Sequence, residues 1–167
     1  MRSRGAGKIA YLGMFVTLAF IFSYVEAILP FSIGVPGIKL GLANIVIVTA
    51  LYAFGIKEAF AISAVRIILV ALTFSNTFTM IYSLAGGILS WALMSLFKLS
   101  NKFSIIGVSV IGGVFHNIGQ LTVAAILMET AGLIYYLPIL MIGGTITGII
   151  IGILGKYILK IFNTQNI

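Results

Sequence analysis

Seven side chains hold most of the polar chemistry that lies within or beside the apolar segments of this sequence: Glu26, Lys39, Asn44, Arg66, His116, Asn117 and Gln120. Gly113, His116, Asn117, Gln120 and Ala124 recur at spacings of three and four, which puts them on one helical face. Arg66 shares a face with Ser63, Val70 and Thr73. Asn44 follows Lys39 by about a turn and a half, with Gly41 on the Asn44 face. Ser23, Tyr24 and Glu26 close the first apolar run, and Asn76, Thr79 and Ser83 form a stripe opening the fourth. An arginine fork holds a carboxylate or phosphate by two parallel hydrogen bonds. The amides of Asn44, Asn117 and Gln120 both donate and accept, and His116 can act neutral or charged. Two fixed cations, Lys39 and Arg66, face one acid, Glu26. This set describes binding of a polar molecule compatible with an anionic group, with an apolar part against Tyr24, Phe31 and Tyr82.

Other chemistries are excluded or weakened. The three acids are Glu26, Glu58 and Glu129, and there is no Asp. An aspartate-rich magnesium site is therefore impossible, and paired-carboxylate acid/base catalysis is disfavoured. The chain has no Cys and a single His. It has no disulfide or thiolate metal site, and one imidazole makes no zinc site without other ligands. No GxxxxGK[ST] motif is present, so energy for any transport must come from a partner or an ion gradient. No cofactor is expected, and the reading is of a non-enzyme.

The elements that must position these groups are membrane helices. Hydrophobic residues make up 61% of the 167 residues and charged residues 8%. A soluble domain is nearer half apolar and a quarter charged, and a globule of this size cannot hide so much apolar surface. A spanning helix needs roughly 20 apolar residues. Six runs emerge, at about 9–29, 39–54, 59–74, 78–97, 103–128 and 133–162, as one transmembrane domain. The second and third are short, and Pro138 marks a start for the membrane part of the last. The first run is longer than a signal-peptide core and lacks a small-residue cleavage site, so it reads as a retained span. Eight of the ten basic residues (Arg2, Arg4, Lys8, Lys57, Lys98, Lys102, Lys156 and Lys160) fall on one side of this six-span layout. The positive-inside bias then predicts both termini in the cytoplasm of a multi-pass protein of the cell membrane.

In this layout Arg66 lies roughly 12 Å and His116 roughly 20 Å from the inner end of its helix, at 1.5 Å per residue. Ionisable groups at such depth are costly and mark function by default. Most polar side chains fall in the outer half, and the inner half holds little beyond Ser, Thr and Gly. That asymmetry predicts a pocket open to the outside and closed to the cytoplasm. Small residues let helices approach closely in lipid. Gly144, Gly148 and Gly152 form a doubled GxxxG in the last run, and Gly13 with Thr17 offers a weaker stripe in the first. These faces pack either within the chain or against a partner membrane subunit.

Two stretches, VPGIKLGLANI (Val35 to Ile45) and HNIGQL (His116 to Leu121), resemble the Gx transporter family, whose members are also labelled heptaprenyl diphosphate synthase component I. The resemblance covers nearly the whole chain. It implies a bundle similar to the six-helix substrate-binding S components of energy-coupling-factor (ECF) importers, in which a transmembrane coupling subunit and two cytoplasmic ATPases drive release. It also implies that Lys39, Asn44, His116, Asn117 and Gln120 are signature positions. The expected function is capture of a small polar micronutrient, or of an isoprenoid, quinone or flavin-related precursor. The competing readings are a non-catalytic membrane accessory of prenyl diphosphate or quinone synthesis, and a stand-alone proton-linked carrier using Glu26 or His116. Prenyl diphosphate synthesis uses magnesium held by aspartates, which this chain lacks.

Overall fold

A computed structural model describes residues 2–28, 41–75 and 77–165. Lys39 and Phe31 lie outside the described residues, as does Asn76. Six α-helices are present among them: α1 (Arg2–Ile28), α2 (Leu42–Ala53), α3 (Ile56–Thr73), α4 (Thr77–Leu99), α5 (Ile105–Leu127) and α6 (Leu137–Gln165). A 3-10 turn, Ala131–Tyr136, precedes α6. The last apolar run is thus divided beside Pro138, whose missing N–H costs nothing in a first helical turn.

Side-chain contacts give the layout. α5 packs antiparallel to α6, since Gly113 meets Gly144 while Ile106 meets Gly152. α4 packs antiparallel to α5, and α3 to α4 through Phe60 on Trp91. α1 runs alongside α3, joined by Lys8–Glu58 near one end and by Ser23–Arg66 at the middle of α3. α2 lies between α1, α3 and α6. The helices close a ring in the order α1, α3, α4, α5, α6, α2.

Four helical stretches are long and apolar enough to cross a membrane: 6–28, 77–99, 105–127 and 131–162. α2 has 12 residues, a rise of about 18 Å against a hydrocarbon core of about 30 Å. Its sequence explains how so short a helix is tolerated. Ala43 and every residue from Ile45 to Leu51 are buried, so α2 is covered on nearly all sides and meets protein rather than lipid. α3 is long enough but carries Lys57, Glu58 and Arg66. The outer surface of the bundle is strongly apolar, with Leu72 77% and Ile9 71% exposed. A continuous surface of this kind belongs in lipid, not water.

The two ends differ. At one end, Tyr11, Phe15, Phe54 and Phe162 stack edge to face or tilted, with centroids 5.0–6.4 Å apart. They fill the space between α1, α2 and α6. Lys98 Nζ donates to Leu51 O at 2.5 Å and lies over the Tyr52 ring, satisfying a terminal carbonyl of α2. Trp91 Nε1 donates to Ile56 O at 2.9 Å. The two-residue α2–α3 turn depends on Gly55 (φ 118°, ψ −177°), a conformation essentially closed to other residues. Lys8, Lys57, Lys98, Lys102, Lys156 and Lys160 all belong to this end. The polar cavity lies toward the other.

Candidate functional site

The local sequence first fixes how closely the helices around the site can approach. Gly86 on α4 faces His116 and Gln120 on α5. A Cβ there would lie 2.6 Å from both the Gln120 Cγ and the His116 carbonyl oxygen. Gly119 returns the contact against the Gly86 backbone, and Gly113 meets Gly144 backbone to backbone. Small residues therefore let α4, α5 and α6 close around the polar face of α5. Gly41 adopts φ 71°, ψ 30° just before α2, which favours glycine. Its amide donates to Glu26 Oε1, which ties the end of α1 to the start of α2.

Together these helices enclose a cavity of about 140 Å³. One ordered water needs only roughly 10–15 Å³, so there is room for an organic molecule. All six helices contribute to its wall. Glu26, Asn44, Arg66, His116, Asn117 and Gln120 line it, which brings together six of the seven polar residues expected from sequence. The seventh, Lys39, lies outside the described residues.

Arg66 comes from the middle of α3. Its Nη1 donates to Ser23 Oγ at 3.3 Å, and Ser23 in turn donates to Ala19 O. Its Nε is buried and has no hydrogen-bond partner among the described residues. A buried donor left in that state costs on the order of 1–3 kcal/mol. Glu26 is within electrostatic reach of the guanidinium. Asn117 Nδ2 donates to Leu140 O at 2.9 Å, bracing α5 against the start of α6. That contact orients the amide and leaves its Oδ1 as the acceptor.

Several residues at the cavity were not singled out from sequence. Thr147 on α6 lines it, although its hydroxyl bonds back to Gly143 O at 3.0 Å. Thr147 precedes Gly148, and the glycine stripe was the available signal that this part of α6 is deeply packed. Phe74, Ser75 and Met80 also line the cavity. The aromatic wall differs from expectation. Phe74 reaches the cavity, while Tyr24 packs on Phe74 at 5.4 Å and Tyr82 bonds Thr79 at 2.8 Å. Helical periodicity gives a face but not the rotation of α1 and α4, so the ring in contact could not be told from its neighbours.

The glycine stripes divide. Gly144, Gly148 and Gly152 are spent within the chain, because added Cβ atoms would meet α5 backbone or Cβ atoms of Gly113, Val110, Ile106 and Ser109, or the Asn117 amide, at 2.6–3.3 Å. Gly13 meets nothing within 4 Å, and Thr17 beside it is exposed with its hydroxyl bonded to Gly13 O.

No curated protein and no solved structure matches the chain. Residues 15–158 match the family model described as heptaprenyl diphosphate synthase component I, a span covering most of the sequence, and the chain belongs to that family.

Proposed function

We propose that this protein captures a small polar molecule from outside the cell, as the substrate-binding S component of an energy-coupling-factor-type importer. The observation that carries the reading is the cavity. Ionisable and amide side chains from α1, α2, α3 and α5 converge in it, inside a bundle with an apolar exterior. Polar groups at that depth are expensive unless they serve a ligand or one another. The segregation of lysines to the opposite end supports a cytoplasmic position for that end and for both termini, with six spans. The aromatic cluster there supports a site closed toward the cytoplasm. Glu26, Lys39, Asn44, Arg66, His116, Asn117 and Gln120 would contact the ligand. The open stripe at Gly13 and Thr17 would meet a transmembrane coupling subunit served by two ATPases. The chain itself would catalyse nothing.

The family description supports a second reading, a non-catalytic membrane accessory of prenyl diphosphate synthesis. Purification from native membranes in mild detergent, with mass spectrometry of the associated proteins, separates the two. A membrane coupling protein with two ATPases is the expected result. A soluble prenyl synthase in their place would replace the importer reading with the accessory one.

A further inference from the structure

The guanidinium of Arg66 carries more information than its charge. Its Nη1 is committed to Ser23 Oγ. The opposite edge pairs Nε with Nη2, two parallel donors at the spacing of two oxygens on one atom. Nε on that edge is buried without a partner among the described residues. The edge therefore suits a two-oxygen acceptor.

Charge decides which acceptor. Among the described residues lining the cavity, Arg66 is the only Lys or Arg and Glu26 the only carboxylate. Arg66 and Glu26 balance within that lining, so a monoanion pairing with Arg66 leaves one net negative charge there, which the Lys39 of the proposed function would offset. The second or third charge of a phosphate ester or diphosphate would be unmatched and would face Glu26 in a medium that screens poorly. Polyphosphates are normally neutralised by several cations or by a metal. No three His, Cys, Asp or Glu side chains among the described residues converge to hold one. Beside Arg66, the cavity wall turns apolar through Ile67, Val70, Phe74 and Met80.

We infer that the cavity takes a monocarboxylate with an apolar body, its carboxylate held side-on by Nε and Nη2 of Arg66. This rests on the reading of the cavity as a ligand site. It is distinct from what the family description would suggest, since a diphosphate is the ligand class it disfavours.

The test is titration of the purified full chain in detergent with benzoate and, separately, with isopentenyl diphosphate, both into the millimolar range. The variants are Arg66→Gln, Arg66→Lys as a charge-preserving control, and Ser83→Trp to fill the cavity. Benzoate should bind the wild type and isopentenyl diphosphate should not. Arg66→Gln should weaken benzoate roughly 10–100-fold, the value of a charge-assisted bond. Arg66→Lys should weaken it less, and Ser83→Trp should remove binding. Isopentenyl diphosphate bound in preference, and lost in Ser83→Trp, would overturn the carboxylate assignment while leaving the cavity a ligand site. Benzoate bound equally by wild type and Ser83→Trp would overturn both. No binding of benzoate to a folded wild-type chain would also overturn the carboxylate assignment.

Discussion

A guanidinium within a membrane bundle persists only where something repays its desolvation. Among the described residues the repayment at Arg66 is one hydroxyl and the field of Glu26, and Nε is left over. Arg66→Ala and His116→Ala should therefore lower ligand affinity by roughly 10–100-fold each while leaving the fold intact. Calorimetric titration beside thermal unfolding of the same samples checks this, and unchanged affinity would remove both residues from the site. A different residue pair contributes to acid sensitivity. In the first turn of α3, Glu58 lies before the apolar run, and the Lys8 ammonium that donates to it at 2.5 Å holds its carboxyl below the usual carboxylate range. A depressed carboxyl contributes stability that is complete above the ordinary value of about 4.3 and is lost as pH falls through the lower folded value. Glu58 is partly exposed and its Lys8 partner half-exposed, so the effect is small. Thermal unfolding at neutral pH and near pH 4 should show Glu58→Gln with a weaker acid loss than the wild type. An identical acid loss in both would count against the pairing. Of the site, the polar residue types and their shared α5 face were legible in the sequence. The aromatic neighbour was not, because Tyr24, Phe74 and Tyr82 differ by rotations that periodicity does not fix.

Helix against helix, the bundle is held by close approach rather than by oil-like collapse, since lipid is as apolar as the core. The α5–α6 seam is the clearest case. A Cβ at Gly148 would lie 2.6 Å from Val110 Cα and 3.0 Å from Ser109 O, both on backbone that cannot swing aside. Gly148→Leu should cost about 1–3 kcal/mol or more by overpacking. Because the same seam positions Asn117 through Leu140 O, ligand affinity should fall with it. Thermal unfolding in detergent measures the first effect, and wild-type stability of this variant would contradict the seam. Gly13→Leu, by contrast, enters open space and should leave stability unchanged while impairing assembly with a coupling subunit. Native gel analysis of membranes expressing each variant distinguishes them. The doubled GxxxG was visible in the sequence as a packing stripe. Whether it served α5 or another subunit was not, since spacing names the face and not the occupant. The same limit applied to α2. Its apolar run was evident, but only the surrounding helices explain why 12 residues suffice.

At the scale of the whole molecule, one end of the bundle is basic and plugged by aromatic rings while the other holds the polar cavity. The sequence displayed this polarity as a one-sided distribution of lysines and an off-centre cluster of amides. It could not give the ring order of the helices, which depends on contacts between residues far apart in the chain. Orientation is open to a clean experiment because the chain has no native Cys. A single Cys at Lys102 should react with an impermeant thiol reagent only from the cytoplasmic side, and one at Glu129 only from outside. The reverse pattern would invert the topology. The central claim is that the cavity holds a small molecule, and mass spectrometry of small molecules extracted from protein purified from native membranes tests it most directly. The wild type should retain one compound that Arg66→Gln and His116→Ala do not. A wild type that retains none, or variants that retain the same compound equally, would contradict the claim.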